Sequence, residues 1–377
     1  MMLLEHDAKE LLRVRGLPVP AATLARAGDA PTFDLPIVIK AQVPVGGRGK
    51  AGGIAICQTR GEADAALKRI LALSIKGHAV RACRLEAPAA LGAETYVSFI
   101  VDPAAGNVRI LMSASGGVDV EDEAHRAQML TTSADADADA LSAAALKLAA
   151  SLPAPIGKAM SEAAPTLAQA FVALEATLLE INPLFVAPDG AWMLGDAKLV
   201  LDDNALERNS ALSALLDTQH DLYPEMAFKL EQGFDFVELD AQGDIGLVTT
   251  GAGLSMQLID ELVARGMKPF NFCDIRTGGF RGDPARLIEV FRRIAAGPSI
   301  RAVLINFFAG STDLAEIARL LVIALKEVPE LKAPITARMI GNGYDEARKI
   351  IADAGDPIHV ETDLERAIDR VALAVCA

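Results

Sequence analysis

The spacing of apolar and polar residues changes rhythm past the middle of the chain. From Asp244 onward, short apolar runs alternate with stretches of helical period, and glycine marks most of the changes. Residues 245–250 predict a strand, Gly251-Ala252-Gly253 a turn, and 254–265 a helix closed by Gly266. The unit recurs as strand 270–274 with helix 285–296, strand 302–308 with helix 314–327, strand 335–339 with helix 344–354, and strand 358–360 with helix 364–375. Consecutive βα units of this kind predict an α/β domain with an open, doubly wound parallel sheet, flavodoxin-like in size. Ligands of such sheets gather beyond the carboxyl ends of the strands, here loops 251–253, 276–283, 309–313 and 341–343.

The first 240 residues are less regular. Helix 5–15 stops at Gly16 and Pro18, helix 62–72 follows a glycine-rich hairpin, and 84–113 is rich in strand formers. An Ala-Asp repeat at 134–140 reads as a solvated loop entering an alanine-rich helix within 133–150. Helix 163–176 then leads to a hairpin, 178–185 with 192–199, turned through Pro188-Asp189-Gly190. Residues 231–244 form the predicted junction, giving domains 1–238 and 239–377.

Composition narrows the partners. A chain of 377 residues, 51% apolar and 23% charged, has the size and make-up of a multidomain globular protein. Its formal charge of −14 argues against nucleic acid or an anionic membrane as a partner. No apolar run reaches the length of a membrane span and residues 1–15 carry charge throughout, so the expected location is the cytoplasm. Cys57, Cys83, Cys273 and Cys376 form no C-x-x-C pair and are given no chemistry.

Against that acidic background one basic loop stands out. Gly46-Gly47-Arg48-Gly49-Lys50-Ala51-Gly52-Gly53 lies between two β-branched runs, with Lys40 just upstream. Glycines allow close backbone approach to an anion, and the cations supply charge for a triphosphate. It is not a P-loop, because Ala51 follows Lys50 and the flanks are strands. A phosphate-covering lid and a plain hairpin with solvated cations both satisfy these eight residues. Farther on, Glu180-Ile181-Asn182 sets two oxygen-bearing side chains on one face of a strand, with Asp196 on the returning strand. Hard oxygens suit Mg²⁺, which keeps several waters and needs only one or two protein ligands beside nucleotide phosphates; Asn182 and Asp196 would suffice. A solvated strand face is the alternative, weakened by the phosphate-type loop upstream.

Four segments in order now resemble one family: Leu3-Leu4-Glu5-His6-Asp7-Ala8-Lys9, the loop 46–53, Glu180-Ile181-Asn182-Pro183-Leu184 and Gly251-Ala252-Gly253-Leu254. The chain resembles, over nearly its whole length, the β subunit of succinyl-CoA synthetase and its relatives, the ADP- or GDP-forming acid–CoA ligases. The resemblance implies an N-terminal ATP-grasp domain of two α+β subdomains followed by a CoA-ligase domain. It implies that Lys40, Gly47, Arg48 and Gly49 contact the phosphates of ATP or GTP, and that Glu86, Ala89 and Glu94 are nucleotide contacts. Bare carboxylates repel a triphosphate, so Glu86 and Glu94 are expected at ribose or base donors. Asn182 and Asp196 match magnesium ligands, and Glu180 matches a catalytic carboxylate that steadies a phosphohistidine.

In the family that histidine belongs to a separate α subunit, which also holds most of the CoA site. Of His6, His78, His125, His220 and His359, only His78 has a similar neighbourhood, and it lies within the nucleotide domain where no family site falls. The implied partner is therefore an α subunit, in an αβ or α2β2 heteromer. The implied reaction takes a small carboxylic acid, CoA and ATP reversibly to acyl-CoA, ADP and phosphate. Departures from succinate-using relatives fall at the sheet edge: Thr250 replaces Asn, Ala309-Gly310-Ser311-Thr312 replaces a Gly-Gly-Ile-Val run, and the loop 274–282 adds Arg276 and Arg281. These point to a more polar or doubly anionic acid, such as malate or a sulfonated acid, or else to arginine contacts with the partner or CoA. A noncatalytic copy that docks and regulates an α subunit is the other class of function.

Overall fold

The computed structural model describes residues 1–89, 92–117, 129–276, 280, 282–310, 312–355 and 358–376. The chain forms two compact units, Met1–Leu222 and Tyr223–Ala377. The break falls upstream of the expected 238/239 junction, and the reason is aromatic packing. Helix Pro224–Gln232 and strand Asp235–Glu238 send Phe228, Phe234 and Phe236 into the core of the second unit, beside Phe270 and Phe291. Phe228 and Phe234 meet edge-on at 5.0 Å, and Arg293 lies over the Phe228 ring at 3.9 Å.

The first unit opens with α1 (Glu5–Arg13), whose acidic first turn and basic last residue suit the helix dipole. Strands β1 (Ala22–Arg26), β2 (Ile37–Ala41), β3 (Ile54–Cys57) and β4 (Ala82–Glu86) make an antiparallel sheet of order β1-β4-β2-β3. Helix α2 (Arg60–Leu71) packs Ala63, Leu67 and Ile70 against Ile37, Ile39 and Leu85. It starts two residues before the expected 62 because Thr59 and Glu62 form a capping box.

A second antiparallel sheet follows, built from β5 (Ala93–Asp102), β6 (Asn107–Ser113), β7 (Leu130–Ala134), β8 (Ala176–Val186), β9 (Trp192–Leu194) and β10 (Ala197–Leu201). Its order is β9-β8-β5-β6-β7, with β10 also on β8. Helices α3 (Ala138–Ala149) and α4 (Ile156–Ala173) cover it, Phe171 reaching Phe99 at 6.0 Å. The Ala-Asp repeat is less loop than expected. Ser133 and Ala134 complete β7, and Asp137 caps α3 by accepting from the amides of Asp139 and Ala140. Helix α4 begins well before the expected 163 and carries Pro165 in its interior.

The expected returning strand 192–199 is interrupted. Gly195 and Asp196 step out of the ladder, and both amides turn to the Pro183 carbonyl, at 2.9 and 3.4 Å. Among the described residues, this break is what places Asp196.

In the second unit the helix and strand at its start are α6 (Pro224–Gln232, after α5, Ser210–Gln219) and β11 (Asp235–Glu238). The βα repeat then appears as read: β12 (Ile245–Thr249), α7 (Ala252–Ala264), β13 (Asn271–Asp274), α8 (Ala285–Ala295), β14 (Ala302–Ala309), α9 (Leu314–Glu327), β15 (Ile335–Gly341), α10 (Tyr344–Ala354), β16 (Ile358–Glu361) and α11 (Leu364–Cys376). The sheet order is β11-β13-β12-β14-β15-β16, parallel except for β11, an antiparallel edge strand that the periodicity did not reveal. Helices α7 and α11 cover one face and α8, α9 and α10 the other. The strand order reverses between β12 and β14, the position where doubly wound sheets bind ligands.

Candidate functional site

Three segments distant in sequence bring their charges together in the first unit. Lys40 comes from β2, Arg48 from the hairpin loop after it, and Gly195 and Asp196 from the break between β9 and β10. Lys40 Nζ donates to the Gly195 carbonyl at 2.9 Å, and Arg48 Nη2 donates to Asp196 Oδ2 at 2.6 Å. The backbone amide of Asn182 donates to the Asp196 carbonyl at 3.2 Å. The residues read as phosphate contacts and those read as metal ligands therefore share one locale.

The glycine-rich loop is a closed turn with a fixed base. The amide of Gly53 donates to the Arg48 carbonyl at 2.8 Å, and a Cβ at Gly53 would press on Ile75 at 2.9 Å. Gly47 takes φ +84°, with Lys76 Nζ 3.6 Å from where its Cβ would be. Gly49 leads into the turn closed by the Gly52 amide on its carbonyl at 3.1 Å. Arg48 is folded inward and buried, its Nη1 also held by the Ala41 carbonyl at 3.1 Å. The picture of solvated cations on a plain hairpin does not describe Arg48, whereas Lys50 is exposed.

Beneath this loop lies a buried network that sequence reading missed. Glu5 receives Lys40 at 2.9 Å and Lys9 at 3.2 Å on Oε1, and Arg48 at 2.5 Å on Oε2. Glu86 receives Lys40 at 2.6 Å on Oε1, and Lys9 at 2.8 Å and Arg84 at 2.6 Å on Oε2. Lys9 and Arg84 are completely buried. Arg84 also donates to the Pro20 carbonyl at 3.0 Å and meets His6 Nδ1 at 3.0 Å. Burial alone would raise Glu5 and Glu86. For Glu5, Arg48, Lys40 and Lys9 outweigh it and hold the carboxyl well below its ordinary value, and for Glu86, Lys40, Lys9 and Arg84 hold the carboxyl below its ordinary value. Burial depresses Lys40, yet Glu5, Glu86 and Asp196 raise it overall, so it stays charged. Burial and then Arg84 lower His6, which fits a neutral ring accepting at Nδ1.

This geometry changes the reading of Glu86. Both its oxygens are enclosed by cations, so it presents no carboxylate to a ribose; it fixes Lys40 instead. Signals for the missed residues were present. Glu5 and Lys9 lie one helical turn apart on the stripe that carries buried Ala8 and Leu12, and Arg84 sits inside a strand buried at every position.

The remaining residues of this half line the second sheet. Ile181 is buried, while Glu180 and Asn182 are half-buried on the other side. Glu180 Oε2 accepts from the Tyr96 hydroxyl at 3.0 Å. Asn182 pairs with one backbone residue: its Oδ1 accepts from the Gly117 amide at 2.6 Å and its Nδ2 donates to the Gly117 carbonyl at 3.1 Å. Glu94 is exposed, and its Oε2 lies 2.5 Å from where a Cβ of Gly117 would stand. Ala89 is half-buried in the loop after β4.

The donor set fits Mg²⁺ in kind. Asp196 offers a carboxylate and Asn182 an amide oxygen, and among the described residues no cluster of three or more His, Cys, Asp or Glu competes as a metal centre. In this conformation the Arg48 guanidinium stands against Asp196 as its counter-ion, so a metal held by Asp196 would have to displace that contact.

In the second unit, Thr250 lies just past β12. Its amide donates to the Asn306 carbonyl and its Oγ1 accepts from the Phe308 amide, both at 3.2 Å. Gly310 accepts from Asn342 Nδ2 at 3.4 Å, and Thr312 opens the approach to α9, which Asp313 caps. These positions share the carboxyl edge at the switch point. Arg276, at φ +50°, instead turns to Asp235 of β11 at 3.5 Å. Ser311 and Arg281 lie outside the described residues, as does His125. Among the described residues, no helix is long and apolar enough to cross a membrane.

Family comparison agrees with this division. An ATP-grasp domain model matches residues 2–186 and a CoA-ligase model residues 248–371. The succinate–CoA ligase [ADP-forming] β subunit of Chloroflexus aurantiacus is 35% identical over 94% of each chain. The chain belongs to the succinate–CoA ligase β-subunit family. It is thus a CoA-ligase β subunit, with an ATP-grasp half of the kind that uses a nucleotide. A probable malate–CoA ligase β subunit of Mesorhizobium japonicum is 34% identical, over 98% of this chain and 96% of its own. The structure of ATP citrate lyase from Methanothrix soehngenii in complex with citrate and coenzyme A shares the fold, with a TM-score of 0.71, 18% identity and 99% coverage of both chains.

Proposed function

We propose that this β subunit binds Mg-ATP in its first unit and phosphorylates a histidine of a separate α subunit, which then activates a carboxylic acid for thioester formation with CoA. The observation that carries the reading is the meeting of Lys40 and Arg48 with Asp196 and Asn182 in one locale. Lys40, Arg48 and the Gly47 and Gly49 backbone would take phosphate oxygens; Asp196 and Asn182 would hold Mg²⁺. The metal would neutralise charge on the transferring phosphoryl group. Glu180, which accepts from the Tyr96 hydroxyl, would steady the partner's histidine. A noncatalytic docking role has no use for a buried cluster of paired cations and carboxylates built around Asp196.

For the acid we propose a small molecule with two anionic groups, taken at the switch-point edge near Thr250, Gly310 and Thr312. Threonine in place of an amide side chain at 250 changes the polar group offered at this edge, and the malate-named relative fits a more polar acid. Arg276, exposed and 3.5 Å from Asp235, stays a candidate contact for the acid, the partner or CoA.

The test uses the chain co-produced with its α partner. Asp196→Ala is expected to abolish transfer of label from γ-labelled ATP to the partner's histidine, with the complex still intact by size-exclusion chromatography. Normal phosphohistidine yield in that variant overturns the nucleotide assignment. ATP-dependent thioester formation across succinate, malate, citrate-like and sulfonated acids then identifies the substrate.

A further inference from the structure

We propose that Glu5 is a positioning residue of the phosphate cradle: a buried carboxylate that holds Lys40 and Arg48 in place and would keep Arg48 paired were Asp196 to turn to a metal. The proposal rests on the nucleotide reading above and assigns a role to a residue of α1 that lies outside the lid and hairpin.

The geometry of Arg48 is asymmetric. Its Nη2 stands 2.6 Å from Asp196 and 2.5 Å from Glu5, yet only the contact to Asp196 is aligned as a hydrogen bond. Glu5 Oε2 is buried and has no hydrogen bond of proper angle. That oxygen is ion-paired at 2.5 Å with the same guanidinium that would be freed from Asp196. A small rotation of Arg48 would align this contact as a hydrogen bond. Glu5 itself does not move easily: Lys9 grips its other oxygen from below, and Leu4, Ala8 and Leu12 seat the helix in the core.

The charge count gives the exchange a direction. Lys9, Lys40, Arg48 and Arg84 face Glu5, Glu86, Asp196 and Glu10, so the described cluster is neutral as it stands. A triphosphate arriving alone gains little from a neutral site. With a metal held at Asp196, Arg48 would keep Glu5 as its carboxylate partner, and the guanidinium and Lys40 would face the phosphate oxygens. Glu5 thereby works for anion binding although it is itself an anion.

Two models predict opposite signs for one variant. If Glu5 is only a charge near the phosphates, Glu5→Gln removes repulsion and tightens nucleotide binding, and Glu5→Asp changes nothing. If Glu5 positions the cations, both variants weaken it. Asp keeps the charge but withdraws it from Arg48 and Lys40.

The measurement is calorimetric binding of ADP to the full chain in complex with its α partner, with Mg²⁺ and separately with EDTA. The expected result with Mg²⁺ is a loss of affinity of about tenfold for both variants. The Mg²⁺ enhancement, Kd in EDTA over Kd in Mg²⁺, is expected to shrink about fivefold in Glu5→Gln, because Arg48 then has no second acceptor and competes with the metal. A structural defect would lower both affinities alike, and that result overturns the proposal. So does tighter binding in Glu5→Gln, or unchanged binding in Glu5→Asp, while ADP binding by the wild type leaves the nucleotide reading standing. A wild-type complex that takes up no ADP removes that reading and this one together. If Glu5→Gln does not fold, judged by Trp192 fluorescence, Glu5→Asp decides.

Discussion

Glu86→Gln isolates the electrostatics of the buried cluster, because the substitution keeps shape and volume while removing one charge. Glu86 serves three cations at 2.6–2.8 Å: Lys40, Lys9 and Arg84. Lys40 retains Glu5 and the Gly195 carbonyl, and Lys9 retains the same pair. Arg84 fares worst. It is fully buried, and its other carboxylate, Glu10, stands at 3.4 Å. Removing one partner of a buried ion pair costs about 3–5 kcal/mol, because the surviving charge stays desolvated. With a urea slope of about 3 kcal/mol per M for a unit of this size, the midpoint should fall by about 1 M or more. The single tryptophan, Trp192, lies in β9 of the same unit, so its fluorescence reports that unit without requiring the whole chain to unfold in one step. In the double variant Arg84→Met, Glu86→Gln the costs should fall short of additive by at least about 1 kcal/mol. The pH dependence follows from the lowered Glu86 value. A carboxyl depressed in the folded state contributes stability that is present above its ordinary pKa and lost as pH falls through the folded value. The gap between wild type and Glu86→Gln should therefore be full at neutral pH and close in acid below the ordinary carboxylate range. A midpoint shift below about 0.2 M at pH 7, or strict additivity in the double variant, would refute the argument.

Gly195→Ala should disturb both the break and the site beside it, since the new Cβ would land on the Phe185 ring and 2.8 Å from the Pro183 carbonyl; a cost of about 2–4 kcal/mol by Trp192 fluorescence, with loss of ADP binding, is expected. Tyr96→Phe removes the hydroxyl that donates to Glu180, and partner phosphorylation should slow by about tenfold with ADP affinity unchanged; an unaltered rate would remove Tyr96 from the orientation of Glu180. In the second unit, Asn271→Ala strips the Leu247 amide and carbonyl of partners at 2.9 and 2.8 Å between buried strands, and should cost about 2–4 kcal/mol by far-UV circular dichroism in urea.

What the sequence determined by itself was whatever depends on neighbours along the chain. The β12-to-α11 alternation is set by side-chain period and glycine punctuation, so strands and helices of the second unit appear within a few residues of their predicted bounds. The glycine-rich loop between two strands and the Glu180-Ile181-Asn182 strand were legible for the same reason. Tertiary structure decided the rest. Lys9 and Gly195 are 186 positions apart, yet they share a 2.8 Å hydrogen bond, and no local pattern tells a buried Glu5–Lys9 pair from an ordinary surface pair one turn apart. Strand β11 joins the sheet through Phe228, Phe234 and Phe236, whose burial depends on where the chain returns. Glu86 changed its reading because a carboxylate takes its character from the cations around it, and those come from α1, β2 and β4, brought together only by folding.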